Sequence, residues 1–383
     1  MSRPLLIIFL TIFVNLIGFG IIIPLLPFYA ETFGASPLTI GLLFAIFSVC
    51  QLAAAPVLGD LSDRYGRRPV LVFSLAGTVV SFVMLALAHS LAMLFLARIV
   101  DGLSGGNIST ARAYVADITE PKDRARAYGF IGAAFGLGFV LGPALSGILA
   151  RISITAPIWV AAALTLAATA MAWIWLPETV HRAQAGTGNP FRYLPELMQR
   201  PILRRVMAVD FVYWFAFAIF QTTFALFAER RFGFDVSKTG YFFAAFGVLG
   251  AVVQGGCIRP VVRRLGDKGT FILGLACAIV GLVGAALAQS VVALAVALVP
   301  LALGIGFGHP TVASLVSRAA RDDEQGRVQG AAGGLESLGR TIGPVWGNLA
   351  LQHYGDATPF ISAAGVLAMT VVLVAGYRVA DSS

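Results

Sequence analysis

Charged side chains are scarce in this sequence. Asp, Glu, Lys and Arg together make up 12% of the 383 residues, against about 25% in a typical soluble domain. Hydrophobic residues make up 58%, and the mean hydropathy is +0.85. Too few polar side chains remain to cover the surface of a water-soluble globule. The shortage of charge therefore excludes a soluble protein and predicts an integral membrane protein.

Cysteines are few, and the usual motifs of enzymes are lacking. The three cysteines, Cys50, Cys257 and Cys277, lie in or beside apolar runs, so no disulfide framework is expected. The sequence has no nucleotide-binding G-x-x-x-x-G-K, no H-E-x-x-H and no Cys/His spacing typical of a metal site. We therefore expect a protein that is not an enzyme and needs no cofactor or metal.

Long apolar runs are abundant. A helix needs about 20 apolar residues to cross a bilayer, and the length of the runs, without two-residue alternation, favours helices over barrel strands. The first run continues through Pro24 and Pro27 without a small-residue cleavage site, so we expect a retained helix rather than a signal peptide. The predicted all-α membrane protein has twelve spans: 5–29, 38–59, 69–88, 91–115, 126–149, 156–176, 205–228, 238–260, 269–288, 291–316, 327–350 and 358–378.

Basic residues are distributed unevenly between the loops. Twenty of the 27 lysines and arginines fall in the tails and in the loops that follow even-numbered spans. The opposite loops hold only Arg151, Arg230, Arg231 and Lys238. Positive loops stay in the cytoplasm, so we expect a multi-pass protein of the inner (plasma) membrane with both termini cytoplasmic. This placement accounts for the pI near 9.8 without a nucleic-acid partner.

The longest polar break divides the chain into two parts. It runs from about 177 to 204 and is rich in proline and arginine. It predicts an N-terminal six-helix bundle over 1–178, a cytoplasmic linker over 179–204 and a C-terminal six-helix bundle over 205–383. An internal repeat with an offset near 200 residues supports the division; its matching positions are Gly41 and Gly240, Gly66 and Gly266, and Gly142-Pro143 and Gly343-Pro344. Such repeats are typical of secondary transporters, whose substrate site lies between the halves.

One polar stretch between the second and third spans resembles a known family motif. It reads Gly59-Asp-Leu-Ser-Asp63-Arg-Tyr-Gly66-Arg67-Arg68-Pro69 and is similar to the loop between helices 2 and 3 of major facilitator superfamily transporters. We expect Asp63 at or near the start of the third helix or facing the start of helix 11, since either place offers free backbone N–H groups. Arg67 and Arg124 are expected to pair with Asp63 or Asp117. The alternative is that the basic residues only set topology.

The resemblance predicts a cytoplasmic gate formed by this loop and its neighbours. Its expected members are Gly59, Asp63, Arg64, Gly66, Arg67, Arg68, Asp117 and Arg124. In the second half, Arg263 occupies the place of Asp63, so the second copy is expected to lack the acid and to hold less firmly.

Further segments narrow the resemblance. They are Asn15 to Pro27 in helix 1, Arg98 to Asn107 in helix 4, Gly138 to Gly147 in helix 5, and Leu176-Pro177-Glu178-Thr179. Together they resemble the twelve-helix drug:proton antiporter family and, within it, the tetracycline-efflux branch. The resemblance implies two pseudo-symmetric six-helix bundles, a monomer, and small-molecule substrates and protons as partners in the lipid bilayer.

Helix 5 carries the glycines typical of the exporters in that family. Gly138, Gly142, Pro143 and Gly147 form the motif, with Gly132 and Gly136 nearby. Glycines let helix backbones approach closely, and proline bends a helix. A smooth sliding surface between helices and ordinary small-residue packing are both compatible with this pattern.

Charges within spans are expensive and mark candidate functional residues. Arg98 and Asp101 lie three residues apart in helix 4, Glu336 and Arg340 four apart in helix 11, and each pair can lie on one helix face. Either pair can serve proton coupling or simply be a structural ion pair. His309 in helix 10 is a further candidate for proton coupling or a structural residue.

Two other charged residues, Asp210 and Arg112, lie near the cytoplasmic ends of their spans. They are expected to reach water or each other's loops by snorkelling.

Asn15 departs from the tetracycline-efflux pattern, which has Asp at this point of helix 1. An amide cannot bind and release a proton as a carboxylate does. Three explanations remain open. Coupling uses Asp101 or Glu336 instead, the protein is uncoupled, or the chain is a variant or engineered form.

The predicted substrate cavity is amphipathic. Polar and aromatic side chains near the middle of several spans suit bulky amphiphilic ligands; the candidates are Asn15, Phe19, Gln51, Trp214, Phe217, Gln221, Gln254 and Trp346. Arg98 or Arg340 can also contact an anionic ligand.

The sequence thus predicts a secondary active transporter that works by alternating access. It is expected to export hydrophobic or amphiphilic small molecules, such as tetracycline-like drugs, in exchange for protons. The alternatives are an uncoupled facilitator, an importer of a small metabolite or lipid-like ligand, and a membrane sensor.

Overall fold

The computed structural model describes residues 3–105, 107–120, 123–179, 193–321 and 324–375, and all regular structure in these ranges is helical. The chain divides into two compact units. The first comprises Met1–Asn189 and Phe234–Gly247, and the second comprises Pro190–Gly233 and Val248–Ser383. Most of the predicted linker, residues 180–192, lies outside the described residues.

The first unit contains seven helices and the start of an eighth within the described residues. They are α1 Arg3–Glu31, α2 Pro37–Tyr65, α3 Arg67–Ala86, α4 Leu91–Ser104, α5 Asn107–Ile118, α6 Arg124–Leu149, α7 Ala156–Trp175 and the N-terminal part of α10, Val236–Val252. Helix α1 packs against α6 and α7, and α3 packs against α4 and α7. Buried side chains such as Ile8, Leu75 and Tyr114 join α1, α3 and α5 in one apolar core.

The second unit repeats this pattern. Its elements are α8 Leu194–Met198, α9 Pro201–Phe232, the rest of α10, a π-helical turn Val253–Cys257, α11 Ile258–Leu287, α12 Val291–Ala319, α13 Gln325–Tyr354 and α14 Thr358–Ala375. Helix α9 packs against α13 and α14, and α11 packs against α12 and α14. The same order of pairings therefore occurs in both units.

The helix starts show the repeat at the level of single residues. Ser90 accepts the backbone N–H of Met93 at the start of α4, at 3.3 Å. Ser290 accepts the backbone N–H of Ala293 at the start of α12, at 3.2 Å. A serine at this position satisfies one of the backbone donors that a helix start leaves free. The two caps are 200 residues apart, which matches the offset of the sequence repeat.

Eight helices within the described residues are long and apolar enough to cross a membrane. They are Arg3–Glu31, Pro37–Tyr65, Arg67–Ala86, Gly129–Leu149, Ala156–Trp175, Pro201–Phe232, Val236–Leu287 and Val291–Ala319, with Thr358–Val374 as a shorter apolar helix. The count of twelve is therefore not reproduced one for one. Two predicted spans merge into Val236–Leu287. The predicted fourth span is divided into α4 and α5, and the eleventh, α13, is not among the eight.

The boundaries of the predicted loops need two corrections. Asp63 does not begin the third helix but lies in the last turn of α2, and Gly66 alone separates α2 from α3. The predicted break between spans 8 and 9 is helical except at Gly266, where φ is 68° and ψ is 174°. Gly66 has a φ of 107°. Glycine adopts positive φ without steric cost, so a single residue suffices to turn the chain in each unit.

Candidate transport site

The motif between α2 and α3 of the first unit, predicted to be cytoplasmic, forms a cluster of ion pairs around Arg67. Its guanidinium pairs with Asp63 one turn earlier and with Asp117 at the end of α5, where the Nε–Oδ2 distance is 3.1 Å. It also donates to the Ser62 hydroxyl at 3.0 Å. The predicted pairing of Arg67 with both acids is present. The side chain of Arg124, the other predicted partner, lies outside the described residues.

Glu178 completes this cluster, although its sequence context did not identify it as a gate residue. Its carboxylate accepts the backbone N–H groups of Arg67 at 2.9 Å and Arg68 at 3.2 Å. These are free donors at the start of α3, where a negative charge is stabilising. Glu178 follows α7 and caps the start of a different helix, α3, so no short sequence pattern predicts the contact. The one signal in the sequence was that the Pro177-Glu178-Thr179 segment resembles a family motif.

The remaining members of the predicted gate lie around this centre. Arg68 donates to the backbone carbonyl of Trp173, and its guanidinium lies 5.8 Å from the centroid of that indole ring. Arg64 is exposed. A Cβ added at Gly59 would meet open space, so close packing does not account for that glycine.

The second unit carries a charge-reversed copy of this cluster. Asp267 follows Gly266 and accepts from Arg318 near the end of α12 at 2.7 Å, and from the Ser314 hydroxyl at 2.9 Å. In the first unit, the corresponding residue Arg67 follows Gly66 and pairs with Asp117 near the end of α5. Arg263 replaces Asp63, as expected, so the acid of that position is lost, and Asp267 supplies the second copy with an acid at another position. The acid has moved to the position of the base, so the pairing survives.

A second ion pair at this end joins the starts of α9 and α13. The Arg200 guanidinium pairs with Glu324, which also accepts the backbone N–H of Arg321 at 3.0 Å. The backbone N–H of Arg321 and then the Arg200 guanidinium lower the pKa of the Glu324 carboxyl.

Inside the first unit, Arg98 and Asp101 form the predicted ion pair on α4. The Nη1–Oδ2 distance is 2.9 Å, and Arg98 is 1% exposed. Thr78 on α3 also hydrogen-bonds Asp101. The Arg98 guanidinium lies 4.2 Å from the ring centroid of Phe47. Its Nε and Nη2 atoms have no hydrogen-bond partner among the described residues.

A small polar cavity of about 30 Å³ adjoins this pair. Asn15, Gln51, Thr78 and Asp101 supply its polar wall, and Phe19, Phe47 and Phe82 are among its apolar neighbours. Gln51 also donates to the carbonyl of Gly105 at 3.2 Å. A volume of this size holds one or two water molecules and is far smaller than a drug-sized pocket. The structure thus brings Asn15, Phe19, Gln51 and Asp101 together, as expected of site residues.

Asp210 contradicts the expectation that it reaches water. It is 1% exposed, and its Oδ2 atom has no hydrogen-bond partner among the described residues. The reason is that α9 begins at Pro201, so Asp210 lies well inside a helix enclosed by α12, α13 and α14. Arg112, by contrast, is exposed as expected.

Four further residues lie near Asp210 or beside its neighbours. Together with Asp210 they form a set that we call the α9 cluster: Asp210, Tyr213, His309, Glu336 and Arg340. The charges of Glu336 and Arg340 act on Asp210, and Asp210 acts on Tyr213. Arg340 donates to the Ser337 hydroxyl at 3.2 Å. Three coupling candidates from the sequence, His309, Glu336 and Arg340, therefore share one neighbourhood with a carboxyl that the sequence analysis had set aside.

Trp214 links the histidine and the arginine of this cluster. The His309 ring centroid lies 4.4 Å from that of Trp214 with the planes nearly perpendicular, and the Arg340 guanidinium lies 5.0 Å from the Trp214 centroid. The ring centroid of Phe217 lies 6.3 Å from that of His309. Trp214 and Phe217, both predicted cavity residues, thus flank the cluster.

The other predicted cavity residues of the second unit do not share one environment. Gln221 is buried on α9, whereas Gln254 is exposed in the π-helical turn. Trp346 is 39% exposed and donates to the Ser362 hydroxyl on α14 at 3.2 Å. Single π-helical turns are frequent at functional sites, but the sequence contains no direct signal for this one.

The glycines of the predicted fifth span, which is α6 in the structure, separate into two groups. A Cβ at Gly138 would lie 2.6 Å from Leu16 Cβ, and one at Gly142 would lie 2.7 Å from Gly20 Cα, so both mark close contact of α6 with α1. A Cβ at Gly147 would lie 2.8 Å from the Ser237 carbonyl oxygen in α10. Gly132 and Gly136 meet open space, so the expectation that they too serve close packing was wrong.

Comparison with known proteins decides the family. The model of the Major Facilitator Superfamily matches residues 8–344 and 262–382. The chain belongs to the Major Facilitator Superfamily. It is therefore a multi-pass membrane transporter of small molecules rather than an enzyme, and the predicted all-helical fold of this superfamily is confirmed, although the count of twelve helices is not exact.

Individual relatives of this superfamily member include drug-resistance proteins. The chain is 36% identical to tetracycline resistance protein, class G, of Vibrio anguillarum over 336 residues, covering 86% of this chain and 85% of the relative. It is 29% identical to multidrug resistance protein 2 of Bacillus subtilis (strain 168), covering 93% and 90%. Among solved structures, the human organic anion transporter MFSD10 (TETRAN) matches with a TM-score of 0.75 at 25% identity, covering 97% of this chain and 99% of that one.

Proposed function

We infer that this superfamily member exports hydrophobic or amphiphilic small molecules from the cytoplasm in exchange for protons. The observation that carries the inference is its similarity, over most of both chains, to tetracycline and multidrug resistance proteins. The buried Arg98–Asp101 pair beside a polar cavity supports proton coupling, since charges inside a membrane protein mark ion and proton pathways. We further infer that the protein acts as a monomer with both termini in the cytoplasm.

Alternating access links the two events in this proposal. Protonation of a carboxyl and binding of substrate would each favour one of two conformations, so each ligand shifts the same equilibrium. Asn15 lies in the cavity that Asp101 lines and cannot titrate, so a proton in this cavity must be carried by Asp101.

An uncoupled facilitator is the second candidate, and Asn15 is the observation that favours it. With an amide in place of the family's acid and Asp101 held by Arg98, the first unit can remain in one charge state throughout the cycle. The substrate would then move only down its own gradient. An organic anion is a further substrate class for either candidate, because a matching structure is described as an organic anion transporter and Arg98 has unpartnered donors.

The test is transport in proteoliposomes under an imposed pH gradient, with tetracycline, lipophilic cations and organic anions as the compound panel. We expect uptake driven by the gradient and proton movement driven by substrate. Asn15→Asp and Asp101→Asn are each expected to alter the pH dependence of uptake, because they add and remove a titratable group in the same cavity. Clear uptake of a compound without proton movement would instead identify the facilitator.

A further inference from the structure

Asp210 is a buried carboxyl for which the structure provides an incomplete set of partners. It is 1% exposed, and its Oδ2 atom lacks a hydrogen-bond partner among the described residues. A buried polar atom without a partner is costly, and an ionised carboxylate costs far more than a neutral carboxyl group. Asp210 is therefore a place where a bound proton would relieve an unfavourable burial.

Close packing of α13 on α9 brings further charges to this carboxyl. A Cβ at Gly339 would lie 3.0 Å from the Phe211 carbonyl oxygen and 2.9 Å from the Phe215 nitrogen. Glu336 and Arg340 lie on either side of this glycine in α13, and the charges of both act on Asp210. The contact therefore places two carboxyls and one guanidinium in the same neighbourhood.

The other helices packed against α9 add few charges. Helix α14 carries no ionisable side chain between Thr358 and Val374, and the exposed Glu196 is the ionisable residue of α8. On α9 itself, Arg204 and Arg205 are exposed and Tyr213 is buried. Helix α12 contributes Arg318, which pairs with Asp267, and His309, which packs against Trp214. The charge of Arg340 acts on His309, so a proton on the imidazole would create a second cation beside Arg340, whereas a proton on a carboxyl would create only a neutral group.

Charge balance distinguishes this cluster from the pair in the first unit. Arg98 and Asp101 neutralise each other without a proton. In the α9 cluster, two carboxylates face one guanidinium, which leaves a net negative charge where burial of charge is expensive. One proton on the carboxyl pair removes that excess, and Asp210 is the more buried of the two acids.

We propose that Asp210 is a proton-binding site of the second unit. Its carboxyl takes up one proton to form the neutral acid and releases the same proton to regenerate the carboxylate, while Glu336 and Arg340 keep opposite charges. That this proton is exchanged for substrate rests on the proposed antiport function. The existence of the proton-binding site does not depend on that function.

The site itself can be tested without transport. Infrared difference spectra of the purified, detergent-solubilised protein between alkaline and acidic buffer report the C=O stretch of a carboxyl that gains a proton. We expect the wild type to show a band typical of a buried carboxylic acid and Asp210→Asn to lose the component that Asp210 contributes, whereas a component from Asp101 remains. Asp356→Asn is the matched control, because Asp356 is part-exposed and pairs with Arg230 at 3.5 Å; the band should persist in that variant. A band that persists unchanged in Asp210→Asn would overturn the proposal.

Transport by the same variants tests the coupling. Asp210→Asn is expected to lose uptake driven by a pH gradient but to retain exchange of labelled for unlabelled substrate, which needs no net proton movement. Asp210→Glu keeps a carboxyl at this position and is expected to show a carboxylic acid band, shifted from that of the wild type, together with gradient-driven uptake. If the wild type shows the Asp210 band but moves no protons with substrate, the antiport function fails and the proton site stands.

A folding defect would not hide the result. Size-exclusion profiles and thermal unfolding of each variant show whether it is intact. Should Asp210→Asn fail to fold, Asp210→Glu decides the matter, because lengthening the side chain that binds the proton must shift the band. An unshifted band in a folded Asp210→Glu protein would overturn the proposal.

Discussion

Single residues carry most of the functional information in this chain, because nearly every charged side chain in an apolar helix needs a reason to be there. Arg98 and Asp101 were identifiable from spacing alone, since three residues separate neighbours on a helix face. Asp210 was not, because its partners Glu336 and Arg340 come from a helix more than a hundred residues later. Sequence spacing predicts pairs within a helix but not pairs between helices.

Glu324 gives a prediction that depends on pH. Because its pKa is lower in the folded protein than in the unfolded chain, its interactions stabilise the fold above the ordinary carboxyl pKa, and this contribution is lost as the pH falls through the folded-state value. We expect Glu324→Gln to lower the thermal unfolding temperature in neutral buffer and to match the wild type in acidic buffer. Unfolding in detergent across a pH series measures this.

Glu196→Gln is the control for that series, because Glu196 is an exposed carboxyl in the neighbouring helix α8. It should match the wild type throughout. A difference between Glu324→Gln and the wild type that stays constant at every pH would show that the carboxyl charge is not the stabilising feature.

At the scale of helices, the contact of α6 with α1 depends on two facing glycines. A Cβ at Gly142 would lie 2.7 Å from both the Gly20 Cα and the Ile17 carbonyl oxygen, and neither backbone atom can rotate away. We expect Gly142→Ala to lower the free energy of unfolding by about 1–3 kcal/mol through overpacking. Thermal or denaturant unfolding in one detergent measures the effect.

Gly136 provides a matched control on the same helix. A Cβ there meets open space, so Gly136→Ala should leave stability unchanged or raise it by roughly 0.5–1 kcal/mol, because alanine favours a helix interior over glycine. Equal stability of the two alanine variants would show that the close approach at Gly142 is not needed.

The helices were largely predictable from sequence, and their ends were not. Apolar runs located the elements, but the run of polar residues from Gly59 to Pro69 was interpreted as a loop although α2 extends to Tyr65. At a membrane surface a helix can continue into water with charged side chains, so loss of hydrophobicity marks the end of the membrane rather than the end of the helix. Only Gly66, with its positive φ, ends it. The π-helical turn in the second unit similarly has no hydropathy signal.

On the scale of the whole molecule, the distribution of basic residues predicts orientation. Most lysines and arginines fall in the tails and alternate loops, which favours both termini in the cytoplasm. A fluorescent reporter that matures only in the cytoplasm, fused after the last residue, is expected to be bright in cells. The same reporter placed after Tyr354, between α13 and α14, is expected to be dark.

A second reporter that is active only outside the cytoplasm should give the opposite pattern at the same two positions. Bright fluorescence at both positions, or at neither, would contradict the proposed orientation. Because the two fusion points differ by a single helix, the comparison also tests whether α14 crosses the membrane.

The repeat was also predictable at this scale, since an offset near 200 residues relates Gly66 to Gly266 and, in the structure, Ser90 to Ser290. The ion pairs within each copy of the repeat were not predictable. The sequence showed that Arg263 replaces Asp63, but it did not show that Asp267 and Arg318 form an ion pair with the signs of Arg67 and Asp117 exchanged.

That exchange has a consequence for how the two halves diverged. Coulomb attraction depends on the product of the charges, so a pair with both signs inverted holds as well as the original. A single substitution on the way, however, sets two like charges face to face. Changing the two residues one at a time therefore passes through a neutral or repulsive intermediate, and grafting one residue from either half into the other would create it. Only transplanting both partners together leaves the attraction intact.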